Sequence, residues 1–203
     1  MSISVCMASY NGEQYIIRQL NSILEQLGEN DEVIIIDDCS SDGTIEVLKR
    51  LDDPRIKIYI NDRNRGHVFS FNRSISLAKN EFIFLSDQDD IWIPGRVSLM
   101  QKALVDSCVN LVTTNFSWID SNDNPIDEQF DGVDSSHSNK YFRNIVDIFI
   151  GKTNYFGCAM ALRNDFLSVI SPIPSYVESH DLWIALAGNI TRSNVHLDEN
   201  TFL

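Results

Sequence analysis

Three carboxylates in four positions, Asp87, Asp89 and Asp90, end the segment FLSDQDDIW at residues 84–92, directly after a short apolar run. Acidic side chains this close repel one another unless a cation or a strong donor compensates them. Asp87 and Asp89 are two residues apart, so a turning backbone can aim both at one ligand. A hard dication such as Mg2+ or Mn2+ is held by one or two carboxylates and completes its shell with substrate phosphates and water. That is the chemistry of a nucleotide-diphosphate site. The plainer alternative is a solvated turn, since Asp is favoured in turns.

The elements that must position these acids are legible in the first half. ISVCMA (3–8) and EVIIID (32–37) are short apolar runs rich in branched residues, as buried parallel strands are. An amphipathic helix lies between them, with Ile16, Leu20, Ile23 and Leu27 on one face, Asn11 expected as its N-cap and Gly28 as its stop. SDGTIEVLKRL (41–51) reads as a second helix capped by Ser41 or Asp42, KIYI (57–60) as a strand, FSFNRSISLA (69–78) as a helix with Phe71, Ile75 and Ala78 inward, and FIFL (82–85) as a fourth strand. Such a series predicts an α/β fold: an open parallel sheet with helices on both faces, whose ligands bind beyond the carboxyl ends of the strands. Residues 9–13, 37–44 and 87–90 all fall at that edge, and acidic turns placed at random would fall at both edges.

The second half is less regular. A strand is expected at 111–118, then a polar tract at 120–139 that reads as a loop over the site, an apolar helix around 145–150, a strand at 157–163 (GCAMALR) and a helix at 178–188 (ESHDLWIALAG). The 203 residues suit one domain with a sizeable core. The net charge of −13 argues against nucleic acid or an anionic lipid surface as an electrostatic partner. Cys6, Cys39, Cys108 and Cys158 lack metal-ligand spacing, Cys6 and Cys158 sit in apolar segments, and reduced thiols in a cytosol are expected. No leader is evident and no apolar run is long enough to span a bilayer, so any peripheral membrane association is expected from outside this chain. Of the four histidines, His67, His137 and His196 read as surface or packing residues, and only His180, beside Asp181, has notable neighbours.

With these residues assembled, the chain resembles the family 2 glycosyltransferases, nucleotide-sugar enzymes of GT-A fold. ASYNGEQYI (8–16), IIIDDCSSDGT (34–44), NRG (64–66), DQDD followed by WIPGR (87–96), GCAMALR (157–163) and HDLW (180–183) occur in that family's order. FLSDQDDIW with HDLWIAL is similar to bacterial rhamnosyltransferase-like members that build surface polysaccharides. The resemblance implies a Rossmann-like, mostly parallel sheet with a smaller acceptor-side subdomain, in a single 1–203 domain. Residues 1–110 would bind the nucleotide sugar, and 111–203 would form the acceptor half, truncated relative to members that continue past SNVHLDENTFL (193–203).

The resemblance also implies roles. Asp38 would accept a hydrogen bond from the N3–H of uracil or thymine. Ala8, Tyr10 and Glu13 would border the nucleoside, Arg73 would lie near the base or diphosphate, and Asp87 would contact the ribose or the metal shell. Asp89 would bind the Mg2+ or Mn2+ bridging the two phosphates, with Asp90 supporting from behind. Trp92, Gly157 and His180 would lie near the sugar or acceptor, and Asp181 would be the base that deprotonates the acceptor hydroxyl. The implied activity is inverting sugar transfer from a UDP- or dTDP-sugar to a saccharide or lipid-linked acceptor in surface polysaccharide synthesis, such as lipopolysaccharide, at the cytoplasmic side of the membrane. A non-catalytic nucleotide-sugar-binding remnant is the alternative. A receiver-type module would leave DQDD, GCAMALR and HDLW without purpose, and no G-x-G-x-x-G follows strand one as a dinucleotide oxidoreductase requires.

Overall fold

The computed structural model describes residues 1–120, 124–126 and 132–203. The apolar alternation builds β1 (Ile3–Ser9), α1 (Ile16–Leu24), β2 (Glu32–Asp37), α2 (Thr44–Lys49), β3 (Ile56–Ile60), α3 (His67–Leu77) and β4 (Phe82–Ser86). The chain continues as α4 (Arg96–Asp106), β5 (Leu111–Asn115), β6 (Trp118–Ile119), β7 (Pro125–Ile126), α5 (Tyr141–Phe149), β8 (Met160–Arg163), α6 (Leu167–Ile170), α7 (His180–Ile190) and β9 (Asn194–Asn200). Among the described residues one seven-stranded sheet runs in the order β3-β2-β1-β4-β8-β5-β9, and β6 and β7 form a separate hairpin.

Strand alternation divides the apolar side chains between two cores, one on each face of the sheet. Val5 and Met7 of β1, Phe82 and Phe84 of β4, Val112 of β5 and Ala161 of β8 pack with Ile16, Leu20 and Ile23 of α1 and Met100 and Leu104 of α4. Their neighbours Cys6, Ile83, Leu85, Leu111, Met160 and Leu162 face the other way, onto Phe71 and Ile75 of α3 and Ile184 and Ala185 of α7. Period-two strands between period-3.6 helices thus give a helix–sheet–helix sandwich.

Two topological facts position the site. β1 pairs in parallel with β2 on one side and β4 on the other, so the strand order reverses there and leaves a crevice beyond the carboxyl ends. β8 is antiparallel to both β4 and β5. Its amino-terminal end, preceded by the short turn Gly157–Ala159, is therefore delivered to the edge where β4 ends.

Several expectations are corrected. The fifth strand stops at Asn115, where the β5–β9 register breaks, and Trp118–Ile119 leaves to pair with Pro125–Ile126. Residues 157–159 form a 3₁₀ turn, so the strand proper begins at Met160. Asn11 does not cap α1, whose first amides bond the Gly12 carbonyl. With φ +51°, Asn11 instead accepts from the Ser41 N–H at 2.8 Å and ties the loop after β1 to the loop after β2. Of the polar tract read as a loop over the site, residues 121–123 and 127–131 lie outside the described residues. The remainder includes the β7 strand and a turn whose Ser135 bonds the Asp198 carboxylate through its N–H and its hydroxyl.

Candidate functional site

The loop after β1 is fastened across the crevice. The Gln88 amide accepts from the Tyr10 N–H at 2.9 Å and donates to the Tyr10 carbonyl at 3.2 Å. Gly12 makes this possible, because a Cβ there would fall 2.2 Å from the Gln88 Oε1. The fastening leaves the Tyr10 ring exposed and Ala8 half-buried beneath it. Glu13 accepts from the Gly43 N–H at 3.0 Å, so its carboxylate braces the loop after β2.

Asp37 and Asp38 end β2 fully engaged. Asp37 accepts from the Ser40 N–H and hydroxyl and from the Ser9 hydroxyl. Asp38 is buried and accepts from Asn61 Nδ2 at 2.7 Å, from the Arg65 N–H at 2.9 and 3.0 Å and from the Gly66 N–H at 2.7 Å. A carboxylate has about four acceptor sites. Those of Asp38 hold the loop that leads through Gly66 (φ +84°) into α3, so a base N–H would be a further donor. Arg73 of α3 donates to Asn61 Oδ1 at 2.6 Å and to the Ile60 carbonyl, completing that network from the helix side.

The turn after β4 is the reverse case. The segment bends at residues 88 and 89, so positions three apart converge rather than positions two apart. Ligand atoms of Asp87, Asp90 and Cys158 lie within 4.8 Å of one another. Asp89 is exposed at the rim, outside this group, although its charge bears on both other acids. Desolvation, then Asp89, pushes the Asp87 carboxyl up to about 6. Desolvation, then Asp87 and Asp89, pushes Asp90 up to about 8. Asp90 Oδ2 is sealed from solvent with no hydrogen-bond partner. An unpaired buried carboxylate is costly. A hard dication would relieve that cost, so the oxygens of Asp87 and Asp90, with Asp89 at the rim, fit such an ion. The Cys158 thiol does not, being soft and held protonated by burial and by the adjacent acids.

Arg96 closes the back of this cluster. It is buried, its guanidinium bonds the Cys158 carbonyl and the Thr201 hydroxyl, and it lies 4.8 Å from the Trp92 ring and 4.9 Å from the Phe202 ring. Its charge offsets part of the repulsion on Asp90.

Asp181 occupies the first turn of α7, which Ser179 caps by accepting from the Leu182 N–H. Its charge and that of His67, at the start of α3, both bear on Asp87, so the late helix and the acid turn share one electrostatic environment. A cleft of about 760 Å³ opens from the acid turn, with Asp87, Asp89 and Asp90 on one wall and Phe116 and Trp118 on another. Asp38 and Asp181 do not line it.

Three expected sugar or acceptor contacts prove to be packing. Trp92 is 2 % exposed, bridges to Phe202 and tilts against Phe84. His180 is stacked on Phe71 at 3.9 Å with both ring nitrogens sealed, and desolvation drives it down to about 4. Gly157 is small to make room for it, since a Cβ would sit 2.5 Å from His180 Nε2. Sequence reading also passed over Gln88, Arg96, His67 and Cys158. Arg96 had a signal: a cation in the first turn of a helix opposes the helix dipole and implies a compensating partner. Cys158 had none, because only the antiparallel insertion of β8 brings it to the acids.

Against known families, the chain matches the model described as Glycosyl transferase family 2 over residues 4–170. It belongs to that family. As a member, the chain is 31% identical over 120 residues to the Escherichia coli UDP-Glc:alpha-D-GlcNAc-diphosphoundecaprenol beta-1,3-glucosyltransferase WfgD, covering 59% of this chain and 47% of that protein. It is 28% identical over 180 residues to an uncharacterized glycosyltransferase of Nostoc, covering 85% and 54%. The chain thus spans about half the length of those relatives. Among solved structures, Staphylococcus aureus TarS superposes with a TM-score of 0.76 at 20% identity, covering 100% of this chain and 60% of that one. A Pyrobaculum calidifontis mannosyltransferase solved with GDP-Man and Mn2+ gives 0.70 at 19% identity, covering 98% and 54%. The likeness shows the fold, a GT-A type α/β sandwich with a mostly parallel sheet.

Proposed function

We propose that the chain carries the donor-binding and base-bearing part of an inverting glycosyltransferase that moves a sugar from a UDP- or dTDP-sugar to a hydroxyl of a saccharide or lipid-linked acceptor in surface polysaccharide synthesis. The observation that carries this reading is the acid turn. Asp87 and Asp90 are gathered with unmet electrostatic need at the strand-order reversal, and Asp87 also feels the charge of Asp181 on a separate helix. Family membership supports it, as do UDP and UDP-GlcNAc complexes of TarS and the lipid-linked acceptor in the WfgD name.

Asp87 and Asp90, with Asp89 at the rim, would hold a Mg2+ or Mn2+ ion. When bound, that ion neutralises charge growing on the departing diphosphate. Ala8 and the exposed Tyr10 ring would border the nucleoside. Asp38, with Asn61 and Arg73, would fix the loop beside the base. Asp181 would take the proton of the acceptor hydroxyl as its oxygen attacks the anomeric carbon. The bond to the diphosphate oxygen breaks in the same displacement, and the configuration inverts. Trp118, half-exposed in the cleft, offers an aromatic face to an acceptor sugar.

A panel of UDP-, dTDP- and GDP-sugars, with and without Mn2+, tests the reading by calorimetry and turnover. Asp181→Asn is expected to lower kcat by ~10²–10⁴-fold while leaving nucleotide affinity unchanged. Undiminished turnover in that variant, or a product of retained configuration, would sink the mechanism. Nucleotide-sugar binding without turnover in the unaltered chain would point to the non-catalytic alternative.

A further inference from the structure

α5 packs only half of its apolar surface. Tyr141, Ile145 and Ile148 turn toward the body, yet Phe142 is 80 % exposed, Phe149 73 %, Ile150 54 % and Val146 38 %. At 100° per residue, 142, 146 and 149 fall on one stripe, and Ile150 extends it at the carboxyl end. Single exposed apolar residues are ordinary, but a contiguous stripe with two nearly bare phenylalanines marks an interaction surface.

The charges beside it differ from those of the whole chain. The protein has 29 acidic and 16 basic residues, but across 138–152 there are three cations, Lys140, Arg143 and Lys152, and one acid, Asp147. Asp147 is matched by Arg143 at 3.3 Å. Lys140 and Lys152 are exposed at the two ends of the helix. Phenylalanines on one face, with cations exposed at both ends of the helix, are the pattern of a helix that lies in the headgroup plane of an anionic bilayer. The net charge of −13 averages over this face and conceals it.

We infer that the outer face of α5 docks on an anionic lipid surface, with Phe142, Val146 and Phe149 entering the acyl boundary and Lys140 and Lys152 meeting headgroups. The acidic remainder of the chain would then be repelled from the same surface, which fixes the orientation of the docked molecule. This goes beyond the transferase reading and is measured without any sugar nucleotide.

The test is co-sedimentation of the 203-residue chain with phosphatidylcholine vesicles lacking or containing phosphatidylglycerol. Binding is expected only with phosphatidylglycerol and should weaken as salt rises. F142S/F149S should reduce the apparent affinity at least about tenfold with an unchanged Tm, because both side chains are exposed. K140Q/K152Q should lower affinity several-fold and flatten the salt dependence. Absence of binding, or binding indifferent to F142S/F149S, overturns the inference. So does a dimer in sedimentation velocity that F142S/F149S dissolves, since the face would then belong to a second copy. UDP binding in the same samples reports on the transferase reading separately.

Discussion

The acids that follow β2 and the acids that follow β4 lie at the same edge of one sheet, and their surroundings are opposite. Asp37 and Asp38 meet N–H and hydroxyl donors on every side. Asp87 and Asp90 meet one another, a protonated thiol and a sealed, unpartnered oxygen. A carboxylate saturated by internal donors holds a loop in place, whereas one left short of donors invites a cation. Chemical type alone does not separate the two roles. The donors do, and the chain supplies them to β2 from the loops at 39–44 and 61–66.

The largest effect that would break this contrast is on stability at β2. Asp38→Ala should cost about 3 kcal/mol or more, since the amides of Arg65, Gly66 and Asn61 lose their acceptor together. Urea midpoints read it, and a loss under 1 kcal/mol would mean that Asp38 serves a ligand rather than the fold. The acid turn should respond in the other direction. Asp90→Asn should leave the metal-free protein about as stable as before near neutral pH, where burial and the neighbouring acids hold the carboxyl protonated, and more stable above about pH 8, where it would ionise in a crowded site. Mn2+ at about 100 times its Kd should stabilise the unaltered chain by about 2.7 kcal/mol and the variant far less. Equal Mn2+ responses in a thermal melt would remove the acid turn from the metal site.

The smallest expected effect lies away from both regions, at a buried histidine whose environment is donor-satisfied like that of β2. His196 bonds Thr113 at 2.5 Å and faces His137, Asp134 and Tyr155. Desolvation lowers it to about 4. An unfolded histidine takes its proton near pH 6.5, so the unfolded state binds more protons between those values. The His196 contribution is therefore intact above pH 6.5 and lost as pH falls toward 4. Between pH 7 and 5 the stability gap between the unaltered chain and His196→Gln should narrow by up to about 2 kcal/mol. A gap independent of pH would show that the ring is not held neutral.

The strands of the first half, the helices between them and the edge where the acids gather were legible because period-two and period-3.6 patterns depend only on local spacing. Asp87 was legible as a candidate ligand for the same reason. The acid that shares its cluster was not: spacing pointed to Asp89, whereas the bend at 88–89 brings Asp90 beside Asp87. Trp92, Gly157 and His180 carried the right types at the right places in the order of motifs, yet Trp92 bridges to Phe202, His180 stacks on Phe71, and Gly157 makes room for the His180 ring. Only an apolar helix around 145–150 was visible for α5; its start at Tyr141, and which side is buried and which exposed, depend on what packs against it.

The sequence by itself determined the alternating strands and helices from β1 to β4, that the sheet is mostly parallel, and that acids cluster beyond its carboxyl ends, because backbone periodicity and turn chemistry act between near neighbours in the chain. Only the tertiary structure decided which acids are satisfied and which are not. The antiparallel insertion of β8 and the first turn of α7 reach the acid turn from distant parts of the chain, burial turns Arg96 back onto it, and the charge state of a carboxylate is set by whatever stands within a few ångströms of it.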